Sequence, residues 1–235
     1  MKKQIKCKDL KVVILAGGLG TRISEYTKKI PKPMVKILNK PLIVYIMKHY
    51  SKFGFKNFYI AAGYKQEVLK KFFKNQLYDW NVKIIDTGQK TMTGGRIKRL
   101  KSIINNKPFF LTYGDGVSNV NIKKLLKFHN NHNGYTTLTA VRPPARFGKI
   151  KLSGNKVTYF KEKSKLDEGW INGGFFVFEP EIFDYIKNDS TFLEREPLVK
   201  LGHQNRLYAF KHDGFWQCMD TVRDKEILEK KIKKI

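Results

Sequence analysis

A glycine loop, two basic side chains and two separate aspartates are the groups whose types and spacing suit phosphate chemistry. The loop reads Gly17-Gly18-Leu19-Gly20-Thr21-Arg22 and is followed by Pro31-Lys32-Pro33-Met34. Glycines leave backbone N–H groups bare for an anion. Arg22 adds a fork that takes two phosphate oxygens at once, and Lys32, held by flanking prolines, adds a point charge. Asp115 stands in Gly114-Asp115-Gly116, and Asp220 ends Gln217-Cys218-Met219-Asp220. Gly-Asp-Gly is good turn chemistry by itself, so Asp115 alone is open to either reading. Two carboxylates delivered to one phosphate site suit Mg²⁺, which takes few protein oxygens and completes its octahedron with water and phosphate oxygens.

The elements that must position these groups are apolar runs that stop at glycine. Val12-Val13-Ile14-Leu15 reads as a strand buried on both faces, ending at the glycine loop. Phe109-Phe110-Leu111-Thr112 reads the same way and ends at Gly114-Asp115-Gly116. Such loops open at the carboxyl edge of a parallel sheet, where α/β folds bind ligands. Between the two runs, Leu42, Ile46, Tyr50 and Phe53 fall on one helical face, with Gly54 as the stop. Strands are expected over 58–61 and 82–85, a helix over 66–73, and a helix from Thr93 through Ile104 with Thr93 as N-cap. A helix over 122–128 and a strand over 136–141 complete a βαβ rhythm, so residues 10–141 read as a Rossmann-like nucleotide-binding half.

From Pro143 the texture changes. Strands are expected over 157–160, 174–178 and 207–210, completing the central sheet, with helices over 181–187 and 196–202 and a charged amphipathic helix over 222–235. No internal repeat or linker interrupts the chain, so 1–235 reads as a single domain with a second half over 142–235.

Two familiar phosphate loops are excluded by spacing. The dinucleotide fingerprint needs a third glycine where Ile23 stands, and the NTPase loop needs Gly-Lys-Ser/Thr where Gly20-Thr21-Arg22 stands. The order of loop, arginine and Pro-Lys-Pro-Met instead resembles the sugar-1-phosphate nucleotidyltransferases. Within that family, Thr93-Gly94-Gly95-Arg96, Thr112-Tyr113-Gly114-Asp115-Gly116, Pro143-Pro144-Ala145-Arg146-Phe147-Gly148 and Gly214-Phe215-Trp216-Gln217 resemble the cytidylyltransferases that act on glucose 1-phosphate. The likeness runs from about Lys11 to the last helix. It implies a Rossmann-like three-layer nucleotide-diphospho-sugar transferase fold, α/β with a mixed, mostly parallel central sheet. It also implies transfer of a cytidylyl group from CTP to the sugar phosphate with Mg²⁺.

The resemblance further implies roles residue by residue. Leu15, Ala16, Gly17, Gly18, Gly20, Thr21, Arg22, Thr93, Gly94, Gly95 and Asp115 would bind the nucleotide, with Thr93-Gly94-Gly95 near base and ribose. Glu162, Lys163, Asn172, Gly173 and Glu196 would bind the sugar phosphate, and Asp115 and Asp220 the metal. Arg22, Lys32, Asp115, Lys163 and Asp220 would carry catalysis. Apart from the family, Lys163 is one lysine among many and Glu196 is open to a cap role; Arg96 is a weaker candidate beside base and ribose, since a helix arginine also reads as facing solvent. Two departures stand out: Ser164 replaces the proline of the family's Glu-Lys-Pro element, and only residues 75–81 stand where the relatives carry an insertion that helps make subunit contacts. The resemblance also makes 142–235 the sugar-phosphate side of the cleft. The implied homo-oligomer has no size assigned, and another base, another phosphorylated acceptor or a non-catalytic nucleotide-sugar-binding protein stays open.

Composition sets the outer bounds. Lys and Arg number 47 against 20 acids, a net charge of +27 that would suit a nucleic-acid binder. The excess is lysine scattered over helix faces, such as Lys70, Lys71, Lys74, Lys123, Lys124 and Lys127, without a zinc knuckle or aromatic RNA-binding pattern. Solvated lysine faces are the better reading, and no nucleic-acid partner is expected; the charge would steer anionic substrates. Apolar runs fall short of membrane length and no secretory leader is evident, so a cytoplasmic protein without a membrane partner is expected. Cys7 and Cys218 form no disulfide framework, and His49, His129 and His132 read as surface or packing residues.

Overall fold

The computed structural model describes residues 10–143, 148–162 and 169–232. In chain order, β1 (Lys11–Ala16) leads through a 3-10 turn (Thr21–Ile23) and α1 (Ser24–Thr27) to a second 3-10 turn (Lys32–Met34), then to β2 (Lys36–Ile37) and β3 (Lys40–Pro41). Next come α2 (Leu42–Lys52), β4 (Asn57–Ala62), α3 (Gln66–Lys74), β5 (Asn81–Asp86), α4 (Thr93–Lys98) and α5 (Lys101–Ile104). They are followed by β6 (Phe109–Tyr113), β7 (Gly116–Ser118), α6 (Ile122–Asn130), β8 (Thr136–Val141), β9 (Lys149–Ser153) and β10 (Lys156–Lys161). The chain continues with β11 (Ile171–Phe178), α7 (Glu196–His203), β12 (Leu207–His212), β13 (Trp216–Cys218) and α8 (Val222–Ile232).

Seven strands form the central sheet in the order β12-β8-β11-β6-β1-β4-β5. All neighbouring pairs are parallel except those of β11, which runs antiparallel to β6 and β8. The sheet is therefore mixed and mostly parallel, as expected. From β1 the chain builds outward through β4 and β5 and then returns to place β6 on the other side of β1. That reversal opens a crevice beyond the carboxyl ends of β1 and β6, the place where such sheets bind ligands.

The alternation of side chains along β1 sorts the core into two layers. Val12 and Ile14 join the cluster built with α2, α6 and α8, through Leu42, Ile46, Leu125 and Leu228. Val13 and Leu15 face the other cluster, with Ile97, Ile104, Phe183 and Leu201. Burial on both faces is what a continuous β-branched run requires.

Three expectations are corrected. The helix from Thr93 breaks at Leu100 into α4 and α5, and Met92 rather than Thr93 holds the cap position, because the Thr93 hydroxyl is committed to a neighbouring loop. The helix expected over 181–187 is a 3-10 turn, Pro180–Tyr185. The strand expected over 157–160 lies outside the central sheet: among the described residues β10 pairs with β9 alone, in a hairpin that exposes Ile150, Leu152, Val157 and Phe160. Of the histidines, His129 is fully buried between Thr137 and Glu179. His132 stacks on Tyr208 and accepts the Gly134 N–H at Nδ1, so its proton sits on Nε2 and is donated to Thr137.

Candidate active site

At the end of β1, Gly20 adopts the left-handed conformation, φ 65°, that favours glycine. Its carbonyl accepts the Ile23 N–H at 3.1 Å and the Thr27 hydroxyl at 3.0 Å, which turns the chain and presents Arg22. At the end of β6, the Gly114 N–H donates to the Leu15 carbonyl at 2.9 Å. A Cβ at Gly114 would lie 2.7 Å from that oxygen and from Pro33 Cγ, so only glycine lets the two strand ends and the proline turn close up. Pro33 thereby seats Lys32 over the end of β6.

Asp220 comes to the same place by strand pairing. Strand β13 runs antiparallel to β7, matching Cys218 with Gly116, and the Met219 N–H donates to the Asp115 carbonyl at 2.8 Å. Asp220, two residues past β13, is thus brought beside Asp115, the residue preceding β7. Lys32 Nζ lies between them, donating to Asp115 Oδ2 at 2.7 Å and Asp220 Oδ1 at 2.6 Å, with only 12% of its side chain exposed. Arg22 Nη1 donates to the remaining Asp220 oxygen, Oδ2, at 2.8 Å, from a side chain that is 73% exposed. Burial disfavours the Lys32 charge, but the two carboxylates outweigh it and hold the ammonium above the usual lysine value. Burial beside the aspartates pushes the Cys218 thiol up to about 12, which leaves it a poor nucleophile.

Arg96 is a correction. It does not face solvent: 4% of it is exposed, and its guanidinium donates to the Gly17 carbonyl at 2.9 Å, the Ala62 carbonyl at 3.2 Å and the Gly88 carbonyl at 2.7 Å. Thr87 Oγ1 and the Gln89 carbonyl accept further bonds at 2.8 and 3.3 Å. A Cβ at Gly17 would overlap this guanidinium. Arg96 therefore clasps the loops after β1, β4 and β5, and the first glycine of the phosphate-type loop makes room for it. The sequence of α4 carries no sign of this, because two of the three loops that cover its face come from distant parts of the chain.

Across the crevice, Thr93 donates to Glu194 Oε2 at 2.7 Å and Tyr113 donates to Glu194 Oε1 at 2.6 Å. Burial, reinforced by Glu194, raises the Tyr113 phenol, so it remains a neutral donor. Asn172 reaches Tyr113 with its amide nitrogen at 3.3 Å. Glu194 and Tyr113 were not singled out from the sequence, although Tyr113 adjoins Gly114-Asp115 and Glu194 stands two residues before Glu196. Glu196 itself turns away, pairing with Lys187 at 2.7 Å on the surface. Glu162 lies just past β10, beside Gly148, and Lys163 lies outside the described residues. Within the Asn172-Gly173-Gly174 run the glycines serve protein contacts: Gly173 sits against Val141, and Gly174, φ 78°, fits under the Tyr113 ring.

Gly94 and Gly95 are covered as well. Both N–H groups donate to the Thr191 carbonyl, and a Cβ on Gly95 would lie 2.5 Å from the Asp189 backbone. Thr93, not the glycines, faces the crevice. Gly95→Ala is expected to destabilise the protein by about 1–3 kcal/mol, read from denaturant unfolding, because backbone rather than a flexible side chain must move.

These groups enclose a cleft of about 320 Å³ lined by Leu15 through Gly18, Gly20, Arg22, Lys32, Thr93, Arg96, Tyr113 and Asp115. Another concavity, of about 390 Å³ beside Tyr78 and Trp80, has no carboxylate in its lining. Among the described residues no group of three His, Cys, Asp or Glu side chains gathers to hold a metal, so a cation at the cleft would draw on two protein carboxylates. No described helix is long and apolar enough to cross a membrane.

With this geometry in view, residues 11–224 match the nucleotidyl transferase family. The chain is 46% identical to a glucose-1-phosphate cytidylyltransferase of Salmonella typhi, across 94% of this chain and 95% of that protein. It is 37% identical to a probable glucose-1-phosphate cytidylyltransferase of Bacillus subtilis, across 92% and 93%. Among solved structures, HddC of Yersinia pseudotuberculosis complexed with GMP-PN superposes with a TM-score of 0.74 at 24% identity, across 95% of this chain and 99% of that one. The last likeness concerns the fold alone.

Proposed function

The chain belongs to the nucleotidyl transferase family, and from that membership we propose that it joins the cytidylyl group of CTP to glucose 1-phosphate, giving CDP-glucose and pyrophosphate. The choice of base and sugar is supported by the likeness to glucose-1-phosphate cytidylyltransferases over nearly the whole chain. The chemistry is supported above all by the convergence of Asp115 and Asp220 on Lys32 beside the glycine loop.

An oxygen of the sugar phosphate is the nucleophile. It is already anionic, so no general base is required. It forms a bond to the α-phosphorus as the bond from that phosphorus to the α,β-bridging oxygen breaks, and the electron pair leaves with pyrophosphate. The obstacle is repulsion between anions, so positive charge placed in advance and in-line positioning supply the catalysis. Backbone N–H groups of residues 17–20 take the triphosphate. Arg22, largely exposed, swings from Asp220 onto two phosphate oxygens. Lys32 serves the α-phosphate or the incoming sugar phosphate, and Lys163 the latter. Asn172 and Gly173, with Glu162, stand on the sugar side.

Asp115 and Asp220 fit a divalent cation of the Mg²⁺ type: both offer hard oxygens, and both reach a single atom, Lys32 Nζ. When bound, such an ion offsets phosphate charge and polarises the α-phosphorus. The test is pyrophosphate release with Mg²⁺ over a grid of CTP, UTP, dTTP, ATP and GTP against glucose 1-phosphate and other sugar phosphates. Release with CTP and glucose 1-phosphate is expected to exceed every other pairing; a different best pair reassigns the substrates, and silence throughout overturns the proposal.

A further inference from the structure

The charges at the cleft are closed on themselves. Lys32 Nζ occupies Asp115 Oδ2 and Asp220 Oδ1, and Arg22 occupies Asp220 Oδ2. A divalent cation held by both carboxylates, even through Asp115 Oδ1 and the Asp220 Oδ2 that Arg22 now takes, would lie within a few ångströms of an ammonium kept between them in a half-buried site. Such like-charge contact is strongly unfavourable where water is partly excluded. Lys32 therefore has to leave the aspartates when a cation takes them. Its departure leaves a poorly hydrated ammonium that needs another anionic partner. The proline turn keeps that partner close at hand: a Cβ at Gly20 would lie 3.2 Å from Lys32 Cβ, so the lysine stem runs beside the glycine loop.

Resting on the metal-assisted reading above, we propose that Lys32 is the resident counter-ion of the carboxylate pair, exchanged between the two aspartates and a phosphate oxygen, so that divalent cation and nucleotide favour each other's binding. Without metal, Lys32 keeps two aspartates from repelling one another and holds their spacing. Without nucleotide, Lys32 competes with the metal and keeps its affinity low. With both present, each ligand removes the other's obstacle, and linkage requires the assistance to be reciprocal.

The probe is Mn²⁺ alone, titrated into the nucleotide-free full chain and followed by the electron paramagnetic resonance signal of the free ion. Lys32→Gln, purified in the presence of Mg²⁺ and then stripped, is expected to bind Mn²⁺ at least about tenfold more tightly than wild type, because the competing charge is gone. Adding Asp115→Asn to that variant should abolish the gain, while Lys32→Arg, which keeps the charge, should bind as weakly as wild type. The melting temperature of Lys32→Gln should rise with Mg²⁺ far more than that of wild type. Equal Mn²⁺ affinity in Lys32→Gln and wild type overturns the proposal, as does a Gln variant that stays unfolded with Mg²⁺ supplied. Pyrophosphate release by wild type in the same preparation separates the two ideas: release without the affinity gain removes the counter-ion role alone, and absence of release removes the reaction.

Discussion

Asp220→Asn is expected to lower turnover by about 10²–10³-fold with the fold intact, the size of loss seen when one preorganised charge-stabilising group is removed. The Asp220 carboxylate binds Lys32 through one oxygen and Arg22 through the other. Asparagine keeps the shape but offers a single acceptor without charge, so Arg22 loses its ion pair, Lys32 is left with Asp115 alone, and a divalent cation loses one of its two carboxylates. Folding should survive because the elements that deliver Asp220 do not use its side chain. The β13–β7 ladder and the bond from the Met219 N–H to the Asp115 carbonyl are made by backbone. Steady-state pyrophosphate release and denaturant unfolding, run side by side, check this. Turnover within about threefold of wild type would remove Asp220 from the charge-stabilising set.

Arg96→Met is expected to cost stability first and activity as a consequence. The guanidinium makes five hydrogen bonds, four of them to backbone carbonyls in the loops after β1, β4 and β5. Methionine fills part of the space but donates nothing: the Gly88 and Gln89 carbonyls lose the guanidinium, while the Gly17 carbonyl keeps only the Tyr64 N–H and the Ala62 carbonyl keeps the Thr87 N–H and hydroxyl. Each buried acceptor left unpaired costs about 1–3 kcal/mol, so a loss of about 2–5 kcal/mol is expected. Arg96→Lys should recover little, because a single ammonium cannot span loops that a planar fork joins. Arg99 is the comparison: it lies on the surface just past α4, paired with Asp189, and its replacement by methionine should leave unfolding nearly unchanged. If Arg96→Met and Arg99→Met unfold alike, the clasp does not hold the loops. If Arg96→Met is destabilised, the Gly17 carbonyl has lost the shorter of its two hydrogen bonds, and the cleft should bind triphosphate more weakly in the folded fraction as well.

Much of the fold was legible because its signals are local. Apolar runs that stop at glycine, as at Leu15-Ala16-Gly17 and at the end of β6, announce buried strands and the sheet edge where they open. Helical periodicity over Leu42, Ile46 and Tyr50 announced α2 in the same way. The glycine loop, Arg22, Lys32, Asp115 and Asp220 were readable as candidates because phosphate chemistry needs those residue types at strand ends. What depends on distant chain was not readable. That Asp115 and Asp220 meet is decided by the β13–β7 register, and that Lys32 lies between them is decided by Pro33 packing on Gly114. That Glu194 rather than Glu196 faces Tyr113 depends on how the segment before α7 crosses α4. The hairpin β9–β10 has strand-forming residues, but a strand joins a sheet only if an edge is free to pair with it, and here its partner is its own neighbour. Arg96 makes the division plainest: composition marks an arginine as a surface residue because burying its charge is costly, and only three loop backbones converging on one point supply the acceptors that make burial favourable.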